Sequence, residues 1–400
     1  MHRIALVLAL LLAFAPAQAA RAYETRHVVI VVIDGGRYTE TLGHPTFAYE
    51  PRQGLLMAPL GCRGESWNNG VTVTNPGHAA ILCGAYQPLS NDGSQRPYLP
   101  TVFEYYRAAT GAPASQAWFF TNKVKLGVMS YSTHADYGAS LGALVDASCP
   151  TDSAVVARAE AVLFADHPAI VGLNLAQTDI SGHTGNWPAY LAALQKADSL
   201  VHDLWMRIQA DTALAGRTAL FVTNDHGRHD DAHGGFQNHG DGCQGCRRVQ
   251  MLALGPDFKT GLVSAAAMEP VDIVPTVGAL LGIAVPYATG HVMDDLLLGL
   301  LAAGDGPAAE RLRFAAPVPN PTRGAVTLSV DVPGTGELAM DVLDAQGRQI
   351  ATLERCSTGP GRRTIAWSGR TGTGHRAAPG TYFVRARMAG HQAATRVVLR

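Results

Sequence analysis

His27-Val28-Val29-Ile30-Val31-Val32-Ile33-Asp34-Gly35-Gly36 decides how the chain is read. Six consecutive β-branched apolar residues make a strand without a polar face, so both of its faces must be covered. The run ends on an acidic residue, and the pattern recurs: Ala169 to Ala176 leads to Asp179, and Thr218 to Thr223 leads to Asp225. Between the runs, Thr151 to Phe164 and Pro188 to Ile208 carry apolar residues at helical spacing and supply the crossovers that parallel strands require. A further helix is expected over Asp272 to Leu281. The expectation is an α/β fold, a mostly parallel sheet sandwiched by helices, with functional residues beyond the carboxyl ends of its strands.

Length and composition agree with that reading. Four hundred residues, 47% hydrophobic and 16% charged, suit one large α/β domain plus a smaller module. The 31 basic and 32 acidic residues leave a formal charge of -1, so no global field draws nucleic acid or an anionic membrane. An anionic substrate has to be drawn by a local site.

Met1-His2-Arg3, the apolar run Ile4 to Ala15 and the small residues around Ala17-Gln18-Ala19 form an export-signal pattern over 1–22, with cleavage after Ala19 or Ala22. The run is shorter than the roughly 20 apolar residues of a membrane span, and no later segment reaches that length. The mature chain is therefore expected to be exported to the periplasm, the cell surface or the medium, where Cys62, Cys83, Cys149, Cys243, Cys246 and Cys356 are free to form disulfides. The α/β domain is expected over 23–303 and a linker of small, turn-forming residues over 304–316. Over 317–400, short alternating segments such as Val326 to Val332, Leu338 to Leu343 and Thr381 to Met388 read as a small β-sandwich. From Asp305 onward there are 13 arginines, no lysine and 7 acidic residues, the charge pattern of a solvated surface.

Asp34, Asp179 with His183, and Asp225 with His226 place oxygen and nitrogen donors near the strand ends. His239 completes a set of three Asp and three His, enough to hold two divalent ions, with His233 as the competitor for its place and His229 a third candidate that reads better as a solvated loop histidine. Gly35, Gly36, Gly182 and Gly227 beside them allow close backbone approach. Thr72-Val73-Thr74-Asn75-Pro76-Gly77-His78 reads as a helix start, whose N–H groups and dipole suit a phosphate. A threonine hydroxyl is a poor nucleophile until a base or metal ionises it.

The order Val-Ile-Asp34-Gly-Gly-Arg, Thr74-Asn-Pro-Gly-His, Asp179-Ile-Ser-Gly-His183, Asn-Asp225-His226-Gly and His239-Gly resembles the alkaline phosphatase superfamily, over roughly Arg26 to Leu301. The likeness is to its nucleotide pyrophosphatase/phosphodiesterase and Thr-nucleophile phosphatase branches. It implies a two-metal phosphoester hydrolase with an alkaline phosphatase-like fold. One zinc is then held by Asp179, His183 and His239, and the other by Asp34, Asp225, His226 and Thr74. Thr74 attacks phosphorus and forms a phosphothreonine, which water hydrolyses. Mixed carboxylate and imidazole donors favour Zn2+, with manganese or iron as alternatives. Asp272-Ile-Val-Pro-Thr276 before Leu280-Leu281-Gly282 is similar to the closing helix of that fold.

For substrate, the resemblance implies phosphate contacts from Asn75 and Asn91, Asn91 suiting a turn beside Asp92-Gly93 at least as well. Lys123 and Lys125 resemble the Lys-x-Arg pair of some Thr-type monoesterases, with lysine at the second place, and Lys123 favours monoesters. Cys243-Gln-Gly-Cys246 has the spacing of a metal knuckle or redox motif, and in an exported chain a local disulfide pinning the His239 loop is the favoured reading. The C-terminal segment, with Pro319-Asn-Pro-Thr322 and Pro379-Gly-Thr-Tyr-Phe383, resembles immunoglobulin-like modules of secreted bacterial enzymes. Some of those are type IX sorting signals and others resemble flagellar hook-cap modules, which implies contact with secretion machinery or a cell surface. A sulfatase-like hydrolase and a non-catalytic exported surface or binding protein are the alternatives. A sulfatase matures Cys or Ser into formylglycine, which Thr74 cannot provide.

Overall fold

The computed structural model describes residues 23–298, 312–314, 317, 319–344, 346–359, 361–388 and 391–400. The expected export signal, 1–22, and most of the expected linker, 304–316, lie outside the described residues. The chain divides at Leu300 into two compact units.

The first unit is built on β1 (His27–Ile33). Around it lie β2 (Cys62–Trp67), β3 (Ala117–Thr121), β4 (Leu144–Asp146), β5 (Ile170–Leu175), β6 (Thr218–Thr223), β7 (Arg248–Leu254) and β8 (Leu262–Val263). The sheet order is β4-β3-β5-β1-β6-β7-β2-β8. Every pairing is parallel except those of β7 with β6 and β2, so only β7 runs against the rest. The mostly parallel α/β architecture expected from the apolar runs is present.

Helices cover both faces: α1 (Thr74–Cys83), α2 (Val102–Thr110), α3 (Asp152–Asp166), α4 (Gln177–His183), α5 (Trp187–Ala210), the short α6 (Gln244–Arg247) and α7 (Ile273–Leu281). The period of two in β1 sends Val28, Ile30 and Val32 into a core with Ile81 of α1, Phe103 of α2 and Val274 of α7. Val29, Val31 and Ile33 enter the opposite core with Leu163 of α3 and Leu194 and Val201 of α5. Each such side chain contributes about 1.5–3 kcal/mol by leaving water.

Local signals set the helix starts. Thr151 Oγ1 accepts from Ala154 N at 3.2 Å ahead of α3, and Asn186 Oδ1 accepts from Ala189 N at 3.0 Å ahead of α5. Asp272 falls just before α7, where its Oδ2 accepts from Glu269 N at 2.8 Å in a short turn.

The expected Cys243–Cys246 disulfide is not formed. The two sulfurs stand 3.5 Å apart, against about 2.05 Å for a bond, and all six cysteines are free thiols. Asp241 Oδ1 accepts from Cys243 N at 2.9 Å and α6 turns Cys246 into the interior, so hydrogen bonds rather than a crosslink fix this turn.

The second unit holds β9 (Arg313–Phe314), β10 (Val326–Val332), β11 (Gly336–Leu343), β12 (Gln349–Thr358), β13 (Gly361–Trp367), β14 (Gly380–Met388) and β15 (His391–Leu399). They pair in two antiparallel sheets, β13-β10-β9 and β12-β11-β14-β15. Leu328, Val330, Met340, Val342, Trp367, Val384 and Val397 form their shared apolar core.

Because Ile30 is fully buried in the central strand, Ile30→Ala is expected to lower unfolding free energy by about 2–5 kcal/mol. Urea denaturation measures this, and a change under about 0.5 kcal/mol contradicts the packing described.

Candidate metal centre

Four adjacent strands, β3-β5-β1-β6, deliver the site from their carboxyl ends. Lys123 follows β3, Asp179 and His183 lie on α4 after β5, Asp34 follows β1, and Asp225 and His226 follow β6. Thr74 is the first residue of α1 and is buried. His239 comes from the loop before α6.

Lys123 Nζ links these pieces. It lies 2.6 Å from Asp179 Oδ2, 3.0 Å from Asp34 Oδ2 and 3.4 Å from Thr74 Oγ1. Arg228, fully buried, donates from Nη1 to Asp179 Oδ1 at 2.6 Å and from Nη2 to the Gln237 carbonyl at 2.9 Å. The glycines beside the site leave it room. A Cβ on Gly182 falls 2.5 Å from the Arg228 Cζ, and one on Gly35, at φ +67°, falls 2.6 Å from Arg228 Nη1.

The histidines are aimed by backbone carbonyls. His226 Nδ1 lies 2.9 Å from the Gly227 carbonyl and His239 Nδ1 lies 3.0 Å from the Thr72 carbonyl. An N–H on each Nδ1 leaves Nε2 as the ligating nitrogen, the arrangement that orients metal-binding imidazoles. His239 Nε2 then faces His183 Nε2 at 3.1 Å and Asp179 Oδ1 at 3.5 Å. His226 Nε2 lies 3.4 Å from Asp225 Oδ2 and 3.8 Å from Asp34 Oδ1, and none of these three buried atoms has a hydrogen-bond partner.

Buried acceptors without donors are costly, and this converging set of carboxylates and imidazole nitrogens fits divalent cations. Donor atoms of Asp179, His226 and His239 lie within 4.8 Å of one another, as do those of Asp34, His78 and Asp225.

The charges pull the carboxylates apart. Burial, reinforced by the neighbouring Asp225, pushes the Asp34 carboxyl up to about 6. Burial works the same way on Asp179 and Asp225 but is outweighed. The His183 hydrogen bond and Lys123 hold Asp179 well below the usual carboxylate range, and His226 and His78 do so for Asp225. Burial opposes charge on Lys123 too, yet Asp34, Asp179 and Asp225 keep its ammonium above the ordinary lysine value. Burial, with the adjacent His226, lowers His239 to about 3, which leaves it a neutral donor near pH 7.

Asp34, Thr74, Lys123, Asp179, His183, Asp225, His226 and His239 are thus brought together. His233 is held apart, its Nδ1 2.6 Å from Asp230 Oδ1, and His229 faces Asp241 Oδ1 at 3.3 Å. The proposed phosphate contacts form a group of their own. Asn91 Oδ1 accepts from Asn75 N at 2.9 Å and from Lys125 Nζ at 3.0 Å, and Asn75 Nδ2 donates to the Lys125 carbonyl at 3.2 Å. The Asn75 N–H at the start of α1 is therefore satisfied by Asn91, and Pro76 has none to offer.

Three buried residues had no role assigned from sequence. His78 Nδ1 lies 2.9 Å from the Thr74 carbonyl and 3.2 Å from Asp225 Oδ2, and its Nε2 lies 2.9 Å from Asn174 Oδ1. Both nitrogens face oxygen acceptors. Burial opposes the charged ring, but Asp225 outweighs it and raises the His78 pKa above its usual value. The i, i+4 spacing from Thr74 was the available signal for His78, and a lone amide inside an apolar strand was the signal for Asn174. Arg228 carried none.

The sequence model of the Metalloenzyme superfamily matches residues 144–270. The chain is 28% identical over 125 residues to the 2,3-bisphosphoglycerate-independent phosphoglycerate mutase of Legionella pneumophila strain Corby, covering 31% of this chain and 23% of that protein. It is 29% identical over 93 residues to the sulfatase ppz1 of Metarhizium majus, covering 23% of this chain and 22% of that one. These matches span less than a quarter of either curated relative.

Among solved structures, murine ectonucleotide pyrophosphatase/phosphodiesterase 5 is similar with a TM-score of 0.51 and 15% identity, covering 68% of this chain and 100% of that one. A threonine-to-alanine variant of the murine protein is described as inactive, in complex with AMP. A 2-O GAG sulfatase gives a TM-score of 0.51 at 13% identity over 86% of this chain and 85% of its own.

Removing Arg228 takes the donor from Asp179 Oδ1 and from the Phe236 and Gln237 carbonyls, so Arg228→Met is expected to cost about 3–5 kcal/mol. Chemical denaturation of parent and variant reads the difference, and equal midpoints refute the importance of that pair. The first unit has the alkaline phosphatase-like fold, and residues 144–270 within it match the Metalloenzyme superfamily.

Proposed function

We propose that the chain is an exported, metal-dependent phosphoester hydrolase in which Thr74 Oγ1 attacks phosphorus. The observation that carries this reading is the convergence of Asp34, Asp225 and His226, which keep buried atoms without hydrogen-bond partners, with Asp179, His183 and His239, beside a Lys123 ammonium that touches Asp34, Asp179 and Thr74. Similarity to phosphodiesterase, mutase and sulfatase structures and sequences supports a hydrolase or phosphoryl-transfer enzyme.

Asp179, His183 and His239 would hold one cation, and Asp34, Asp225 and His226 with Thr74 the other, with zinc preferred by the mixed donors. When bound, such ions supply Lewis acidity that lowers the pKa of a hydroxyl and spreads charge from the phosphoryl oxygens. Thr74 sits at the positive end of the α1 dipole, which favours the anion it would carry. Its Oγ1 forms the bond to phosphorus as the ester oxygen leaves, giving a phosphothreonine that water then opens. Lys123 neutralises Asp34 and Asp179 as the structure stands. Were those carboxylates to hold cations, the Lys123 ammonium would be left to pair with a phosphoryl oxygen, a role that favours monoesters. His78 and Arg228 act on Asp225 and Asp179 from behind. The antiparallel sheets of the second unit suit an immunoglobulin-like module used for secretion or surface contact.

Thr74→Ala is expected to reduce nitrophenyl phosphate turnover by on the order of 10^3-fold or more while bound metal remains. Unchanged turnover removes Thr74 as nucleophile. In a side-by-side assay with zinc supplied, nitrophenyl phosphate should exceed bis-nitrophenyl phosphate, and both should exceed nitrophenyl sulfate. Sulfate turnover above both phosphates reverses the assignment in favour of a sulfatase. Exhaustive chelation should abolish all three activities, and zinc should restore them; full turnover by the metal-free chain rejects metal dependence.

A further inference from the structure

A second cluster of ligand-type side chains lies in the segment that carries His239, and the hydrolase chemistry uses none of it. The Cys243 and Cys246 sulfurs are 3.5 Å apart. His229 Nε2 lies 3.3 Å from Asp241 Oδ1, and donor atoms of His229, Asp241 and Cys246 all fall within 4.8 Å of one another. That nitrogen is shielded from solvent and has no hydrogen-bond partner. We propose that Cys243, Cys246, His229 and Asp241 form a further divalent-metal site, of zinc type, that braces the loop delivering His239.

The geometry fits an ion better than a crosslink. Zinc–sulfur bonds of about 2.3 Å in a tetrahedron set two sulfurs about 3.8 Å apart, whereas a disulfide holds them near 2.05 Å. The two-residue spacing between the cysteines is that of a metal knuckle. Its turn is already closed, with Cys246 N and Arg247 N donating to the Cys243 carbonyl at 3.0 and 3.1 Å. Gly240 and Gly242, at φ +106° and +73°, bend the chain on either side of Asp241. Cys243 also lies within 4.8 Å of donor atoms of Asp230 and His233, but His233 is the less suitable imidazole, because its Nδ1 is engaged by Asp230 and its side chain is half exposed. It is the sulfur of Cys246 that brings Cys243 to the His229 and Asp241 donors.

Two thiolates with one imidazole and one carboxylate select zinc over magnesium, calcium or manganese. Binding of the dication turns both thiols into thiolates and releases two protons to solvent, and nothing is oxidised or reduced. The ion would join strands of loop that now meet through single hydrogen bonds. His229 N donates to the Asn238 carbonyl at 2.9 Å, and Gly227 N to the Cys246 carbonyl at 2.8 Å. His239 lies between those ties and reaches the Thr72 carbonyl from them.

The test uses the full chain loaded with cobalt(II). A thiolate-to-cobalt charge-transfer band in the near ultraviolet reports sulfur ligands alone, so it separates this site from the oxygen and nitrogen donors around Thr74. The expected result is that band, with loss of the band and of one metal equivalent per chain in Cys246→Ser, while the cobalt absorption of the other ions remains. Should Cys246→Ser fail to fold, alkylation of the parent with and without chelator replaces it, with Cys243 and Cys246 protected only in the metal-loaded chain. Absence of the band, equal labelling with and without chelator, or a Cys243–Cys246 disulfide in non-reducing peptide maps overturns the proposal.

Discussion

Three carboxylates, Asp34, Asp179 and Asp225, are buried together at the carboxyl ends of adjoining strands, and this concentration of negative charge governs the site. An uncompensated buried charge is expensive, so the surroundings have to answer it. Lys123 lies between Asp34 and Asp179, Arg228 backs Asp179, and His78 backs Asp225. The compensation is incomplete: Asp34 Oδ1, Asp225 Oδ2 and His226 Nε2 stay without hydrogen-bond partners. A fold that only needed stability could satisfy these atoms with donors. Holding them open favours cations.

The rest of the first unit makes that concentration possible. Parallel strands point their carboxyl ends the same way, and β1, buried on both faces, leaves its chain no choice about where Asp34 emerges. Glycine at 35 and 182 lets the Arg228 guanidinium lie against the backbone, where any side chain would collide with it. Backbone carbonyls of Gly227 and Thr72 fix how His226 and His239 turn, so the ligand geometry is built into the main chain rather than left to side-chain chance.

Much of this follows from local pattern. Six β-branched residues before Asp34, and apolar runs before Asp179 and Asp225, mark buried strands, because a period of two with no polar face has only one stable environment. The helices over Asp152–Asp166 and Trp187–Ala210 are legible for the same reason, with Thr151 and Asn186 as start signals. Once the strands are parallel, residues just past their ends converge, so Asp34, Asp179 and Asp225 can be named without coordinates.

The sequence alone therefore determined the layered α/β class, the strand ends and the acidic residues gathered there, since each is written in neighbouring residues. Only the tertiary structure decided that His239 rather than His233 or His229 joins Asp179. It alone showed that β7 runs against its neighbours, that Arg228 and His78 carry compensating charge, and that Cys243 and Cys246 stay unbonded beside His229 and Asp241. Those outcomes depend on contacts between segments tens to hundreds of residues apart. Such contacts are selected by burial and charge compensation in the folded state, for which a linear pattern has no period.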